Sequence, residues 1–317
     1  MSQLQDRIAG ALAGMVLGDA FGVPGELWPR AKVRERFGRI TEFLDGPADN
    51  IVACYFKAGH YTDDSAQAFV VLNAIEAAST VPPVQTLAKD LIAWVESMNG
   101  FEINLLGPSS KASLLAWVKG EDALPVTKLS LTNGAAMRIA PVGCLHSTDV
   151  TIAGAAMVAQ AVASGVAGRS WEQTLADVKT IFPIASAKGE PTWAASILAR
   201  LEVFEELVLK RREAYDDEAV SRFIHDVIGT GTMTSESVTA ALALAFWAQN
   251  PKKAAEIAAN MGGDTDTIGC MAAAICGAHC GIGGIAAETV EFLEKTNGLH
   301  FGELAQGVMK TRAVFTL

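Results

Sequence analysis

One run without charge constrains this chain more than any other feature. Residues 268–287 read IGCMAAAICGAHCGIGGIAA, with no Asp, Glu, Lys or Arg among them. The run is long enough to cross a bilayer. Its Ala and Gly content, its His279 and the two aspartates at its head, Asp264 and Asp266, predict a buried helix instead. Small side chains let neighbouring helices approach closely, which suits a compact helical protein.

Helical period dominates the rest. In LQDRIAGALAGMVLGDAFG, Ile8, Leu12, Met15 and the glycines share one stripe. Further helices are expected at 63–79, 84–98, 109–120, 149–165, 170–182, 191–214, 217–229, 235–250, 251–261, 267–281 and 286–296. Only ITEFL (40–44) and NIVACYF (50–56) have strand character, and no βαβ alternation occurs. The Pro-containing breaks are short, and nothing reads as a linker or a low-complexity tract. The expectation is an all-α chain forming a single domain over residues 1–317.

With 50% hydrophobic residues and a mean hydropathy of +0.27, the chain can build a deep core. A net charge of −10 argues against nucleic acid and anionic membranes as partners, since both need basic patches. A phosphate-bearing small molecule held by local N–H groups stays open. The start, MSQLQDRIAG, lacks the basic and apolar regions of a signal peptide. Five irregularly spaced cysteines give no disulfide framework and suggest a reducing, cytoplasmic setting. Cys276 and Cys280, with His279 beside them, would need two more ligands to hold a soft metal, and are read as small core side chains.

Two segments echo each other. YTDDS (61–65) and GGDTDT (262–267) each join Thr to two Asp just before a helix. Either alone is explained by capping, because the N–H groups and dipole at a helix start favour Thr and carboxylates. Together, Asp63, Asp64, Asp264 and Asp266 with Thr62 and Thr267 make an all-oxygen set, which selects Mg²⁺, Mn²⁺ or Ca²⁺ over zinc. Two divalent ions ~3.5–4 Å apart would use that many carboxylates. An EF-hand is excluded, since Ile268 and Ile275 fall where oxygen ligands are required. HExxH, P-loop and GxSxG motifs are absent, and GIGG (281–284) follows a helix, not a strand.

With these motifs the chain resembles the ADP-ribosylglycohydrolase family, of the dinitrogenase reductase-activating glycohydrolase type. The resemblance is carried by GALAGMVLGDAFGVPGE (10–26), YTDDSAQ (61–67), LLGPSS (105–110), TNGAAMRIAPVG (132–143), GTGTMTSES (229–237) and NMGGDTDTIGCMAAAICGA (260–278). GELWPR and the LLGPSS loop look like a bacterial subgroup, whose substrate need not be an ADP-ribosylated protein.

The resemblance implies an all-α orthogonal multi-helix fold around a binuclear Mg²⁺ or Mn²⁺ centre. Its ligands would be Thr62, Asp63, Asp64, Asp264, Asp266 and Thr267, with Glu26 matching a mobile acidic residue near the metals. Asp63 or Glu26 would be the acid/base. Five carboxylates against two divalent ions leave about one negative charge, suited to an oxocarbenium-like transition state. TNGAAMRIAP resembles the ribose- and phosphate-binding segment, with Asn133, Gly134, Met137 and Arg138 as candidates. Gly107, Ser109 and Ser110 open a further helix and could hold phosphate there. The family's Ser-x-x-Thr-His stretch after Pro-x-Gly is shortened over 141–149, where His146 matches the family histidine. The implied activity is hydrolysis of a ribosyl or ADP-ribosyl bond in a small molecule or a modified protein. A nucleoside N-ribohydrolase and a non-catalytic ADP-ribose-binding relative are the alternatives, and the oligomeric state is left open.

Overall fold

The computed structural model describes residues 1–103, 105–128, 130–145, 153–189 and 192–315. Its α-helices among these residues are α1 (Gln3–Gly22), α2 (Arg30–Phe37), α3 (Asp63–Ala78), α4 (Val84–Ser97), α5 (Pro108–Val118) and α6 (Leu124–Lys128). There follow α7 (Gly134–Met137), α8 (Ala140–Leu145), α9 (Ala153–Val166), α10 (Trp171–Ser186), α11 (Ile197–Leu207) and α12 (Asp217–Phe223). The last five are α13 (Thr234–Ala248), α14 (Pro251–Ala259), α15 (Thr265–Cys280), α16 (Ala287–Asn297) and α17 (Phe301–Phe315). The fold is all-α, as the periodicity predicted.

At its centre α1 lies antiparallel against α15. Gly10, Gly14, Gly18 and Gly22 recur every fourth residue and so fall on one helix face. A Cβ at Gly10 would sit 2.3 Å from Gly277 O, one at Gly14 2.2 Å from Ala273 O, and one at Gly18 1.9 Å from Gly269 O. At Gly22 it would meet Asp266 Cα at 2.3 Å. The two backbones therefore touch along four turns, and any side chain on this stripe would push them apart. α9, α13 and α14 close around α15, while α17 and α14 pack on α1. The core is continuous from Ile8 to Val308, with a small satellite of Leu91, Val95 and Leu114 between α4 and α5.

The uncharged run is thus a buried helix. Gln3–Gly25 is also apolar and long enough to span a bilayer, and its apolar window is entirely covered by protein.

Several local expectations differ from the structure. Residues 40–44 and 50–56 are not strands, and the β-pairing among the described residues consists of two isolated bridges, Trp28–Gly263 and Thr132–Met233. Ile40 instead exchanges two 2.7 Å hydrogen bonds with the Asn260 side chain, which satisfies its backbone without a neighbouring strand. The helix expected over 191–214 is α11 followed by 3₁₀ turns, with Arg211 out of helical conformation. α2 and α17 were not expected. Gly302 and Gly307 weaken the helical signal of α17, although its Phe301, Ala305 and Val308 are fully buried. Cys280 is exposed, not a core thiol.

Candidate active site

The antiparallel pairing of α1 and α15 brings the end of one to the start of the other. Just beyond Gly22, the segment carrying Glu26 runs beside Gly262 and Gly263. Leu27 N–H donates to Gly263 O at 2.7 Å, and Gly263 N–H donates to Trp28 O at 2.9 Å. Gly262 and Gly263 both have positive φ, at 77° and 86°, and a Cβ on Gly263 would strike Thr230 O at 2.2 Å. Only glycine fits this turn, which explains the Gly-Gly ahead of the aspartates. Asp264 N–H is then fixed to Thr230 O at 2.7 Å, and Thr265 Oγ1 donates to Gly22 O at 2.7 Å.

α3 arrives from the other side. Thr62 is its N-cap, its hydroxyl accepting from Asp64 N–H at 3.3 Å. Asp19, wholly buried on α1, accepts the N–H groups of Thr62 at 2.9 Å and Ser65 at 3.0 Å. One carboxylate thus ties the Thr-Asp-Asp arm to the central post. Across the gap, Thr62 Oγ1 lies 3.5 Å from Asp266 Oδ2. Gln67 Nε2 donates to Asp63 Oδ2 at 2.7 Å. Asn133 Nδ2 donates to Asp264 Oδ2 at 2.6 Å and to Ser237 Oγ at 2.9 Å.

The structure therefore gathers Thr62, Asp63, Asp64, Asp264, Asp266 and Thr267 with Glu26 and Asn133 at one locus. Met137 is adjacent and buried, its carbonyl beside Cys270 Sγ at 3.8 Å. Arg138 is buried near enough to Asp63 and Asp64 for their charges to favour its protonated form. Its Nη2 donates to Ser110 Oγ at 3.1 Å and its Nε to Gly134 O. This links the Gly107–Ser110 helix start to the Asn133–Arg138 segment. Ser109 lines the cavity beside them. His146 lies outside the described residues, and of the 141–149 stretch only 141–145, within α8, is described.

Burial raises the proton affinity of all six carboxyls, and neighbouring carboxylates add to it at Glu26, Asp63, Asp64 and Asp266. Burial pushes Asp19 and Asp264 up to about 6 and Asp63 up to about 7. Glu26, Asp64 and Asp266 are pushed well above the ordinary range, by burial first and then by neighbouring carboxylates. The Thr267 hydroxyl opposes this at Asp64 and Asp264.

The donor set fits hard divalent cations. Asp64 Oδ2 and Asp266 Oδ1 are buried acceptors without a hydrogen-bond partner, an arrangement that costs energy unless a cation or proton supplies the missing contact. No three His, Cys, Asp or Glu side chains among the described residues already converge on one point at ligand spacing. To share an ion the acid side chains would have to turn toward one another.

Asp19 was missed as a candidate, although a lone acid inside the apolar stretch 8–22 is a readable signal. The GTGTMTSES segment also gains a purpose. Thr230 O holds Asp264 N–H, Thr232 O holds Asn133 N–H at 3.1 Å, and Ser237 orients the Asn133 amide.

The family model described as ADP-ribosylglycohydrolase matches residues 1–314. The chain belongs to the ADP-ribosylglycohydrolase family. It is 38% identical to the uncharacterized protein YegU of Escherichia coli K12, over 97% of each chain. It is 27% identical to an uncharacterized protein of Archaeoglobus fulgidus, over 89% of each. A solved structure described as an ADP-ribosylglycohydrolase-related protein complex superposes with a TM-score of 0.69 at 18% identity, covering 98% of this chain and 100% of that one. That likeness concerns the fold. Membership of a glycohydrolase family supports a hydrolase for ADP-ribosyl substrates.

Proposed function

We propose that this ADP-ribosylglycohydrolase-family chain is a divalent-metal-dependent hydrolase that cleaves the glycosidic bond of a ribosyl substrate, ADP-ribosyl in the first instance. The observation that carries this reading is the pair of buried, unpartnered carboxylate oxygens, Asp64 Oδ2 and Asp266 Oδ1, one from each of two helix starts that meet where Thr62 Oγ1 lies 3.5 Å from Asp266 Oδ2. Thr62, Asp63, Asp64, Asp264, Asp266 and Thr267 would hold two Mg²⁺ or Mn²⁺ ions, which when bound supply a positively charged template for the ribose diol and for water.

The chain's own groups divide the remaining work. Water's oxygen bonds to the anomeric carbon while the bond to the leaving group breaks and its electron pair departs with that group. Asp63 and Glu26 are half-buried and keep contact with solvent, whereas Asp64, Asp264 and Asp266 are enclosed. Asp63, which keeps contact with solvent beside the other acids, is placed to take a proton from water and pass it on. Glu26 sits on a segment held by main-chain pairing and by Asn50 Nδ2 on its carbonyl at 2.8 Å, which leaves its carboxyl free to turn toward the site. Asn133 fixes one Asp264 oxygen and leaves the other for a cation.

Mn²⁺ titration with steady-state hydrolysis of ADP-ribosylated arginine, ADP-ribosylated serine and nucleosides tests the reading. Asp264→Ala and Asp63→Ala should abolish turnover and weaken Mn²⁺ binding while the helical circular dichroism survives. Full activity in either variant, or undiminished activity in chelator, would sink it. Turnover of nucleosides alone selects the nucleoside N-ribohydrolase form, and bound metal with no hydrolysis of any ribosyl compound selects the non-catalytic ADP-ribose-binding form.

A further inference from the structure

Among the described residues, buried side-chain oxygens without a hydrogen-bond partner gather at the two acidic helix starts: Asp64 Oδ2, Ser65 Oγ and Gln67 Oε1 on α3, and Asp266 Oδ1 on α15. Gln67 is the one amide among them. It is wholly buried and lies four residues after Asp63, so the two share a face of α3. Helical side chains lean toward the N-terminus, which lets Gln67 reach back to Asp63. Its Nε2 donates to Asp63 Oδ2 at 2.7 Å, while its Oε1 accepts nothing. An ionised carboxylate only accepts, so the amide presents its N–H to Asp63 and turns its carbonyl away. A buried carbonyl left unpaired costs stability, and a Met side chain would fill the same space without it.

We propose that Gln67 is a positioning residue: it ties up Asp63 Oδ2, so that Asp63 meets the site through Oδ1. The inference rests on the metal-dependent hydrolase reading above and concerns how that same site is held.

The other helix start is arranged in the same way. Asn133 Nδ2 lies 2.6 Å from Asp264 Oδ2 and is itself oriented by Ser237 Oγ at 2.9 Å. Each start thus carries one aspartate with an oxygen taken by an amide, Asp63 or Asp264, and one with a buried oxygen left bare, Asp64 or Asp266. An amide N–H occupies an acceptor direction and fixes the plane of the carboxyl group, so each tied aspartate offers one free oxygen in a set direction. Asp63 needs the tie more than Asp264 does. It is half-buried, where a short side chain can exchange rotamers, whereas Asp264 is enclosed. The stability lost at Gln67 Oε1 is offset by the orientation of Asp63.

Mn²⁺ calorimetry on the full chain compares wild type, Gln67→Met, Asp63→Ala and the double variant, with urea unfolding in chelator as the control for folding. Gln67→Met removes the N–H and keeps the length. It should weaken Mn²⁺ binding by about fivefold or more. Its urea midpoint in chelator should stay at or above that of the wild type, because an unpaired carbonyl has gone. In the Asp63→Ala background the same change should alter Mn²⁺ affinity by less than about twofold, since the residue it acts through is absent. Gln67→Glu sets an acceptor against an acceptor and should weaken binding at least as much as Gln67→Met. In steady-state hydrolysis at saturating Mn²⁺, Gln67→Met should lower kcat by about tenfold and leave KM nearly unchanged. Unchanged Mn²⁺ affinity in Gln67→Met, an equal loss in both backgrounds, or a loss accompanied by a lower urea midpoint overturns the assignment and makes Gln67 a core residue. Bound Mn²⁺ without turnover of any ribosyl compound sinks the hydrolase reading, and the calorimetric cycle still decides on Gln67. If the wild type binds no Mn²⁺, the metal reading fails by itself and the same four proteins are compared in urea. Coupling of about threefold or more in the unfolding constant between positions 63 and 67 then upholds the tie, and additive effects overturn it.

Discussion

The two acidic helix starts look alike in sequence and are built differently. α3 begins as capping rules dictate, with Thr62 accepting Asp64 N–H, and Asp19 serves as a second cap reaching in from α1. α15 begins at Asp264, whose side chain makes no capping bond. Its start is held by backbone pairings to Thr230, Leu27 and Trp28 and by the Thr265 bond to Gly22. The α15 aspartates are thereby relieved of capping and left with buried oxygens to offer. One start is anchored by side chains, the other by a backbone approach that only glycine permits.

The comparison can be broken at its strongest point first. Gly18→Val puts atoms where Cβ alone would lie 1.9 Å from Gly269 O, and should destabilise by about 3 kcal/mol or more, read as loss of soluble protein or a collapsed urea midpoint. A near-wild-type midpoint would show that α15 does not depend on this contact. Asn133→Ala should come next, weakening Mn²⁺ affinity by roughly 10–100-fold in calorimetry through loss of Asp264 orientation. Asp19→Ala leaves two buried N–H groups unpaired and should cost about 2 kcal/mol in chemical denaturation, with Asp19→Asn intermediate. Thr62→Ala should cost about 1 kcal/mol as a lost cap.

A pH scan sharpens the electrostatic side. Acids whose folded pKa is raised bind protons that the unfolded chain has released, so their contribution falls as pH rises through the folded value. Asp19 and Asp264 at about 6 and Asp63 at about 7 should make Tm in chelator decline as pH rises from about 4 to about 7. Excess Mg²⁺ should flatten that decline, as should Asp264→Asn in part. His279, lowered to about 4 by burial against Trp171, acts in the opposite direction only as pH falls below 6.5. A chelator profile that is flat or rising between about pH 5 and 7 would remove the cluster from the account.

Much was legible in the chain alone. The glycine spacing of 10–22 and the uncharged run of 268–287 marked both central helices, because close packing demands small residues at helical period. The paired Thr/Asp segments marked the candidate ligands, because all-oxygen chemistry leaves a recognisable residue set. What stayed hidden depended on partners far away in sequence. Nothing local tells that Ile40 is satisfied by Asn260, that Thr230 O holds Asp264, or that Asp19 caps a helix 43 residues on. The sequence by itself determined an all-α chain with two acidic helix starts. Only the tertiary structure decided that one start is held by side-chain caps and the other by backbone pairing, because that depends on antiparallel contact between two stripes of small residues about 240 to 270 residues apart.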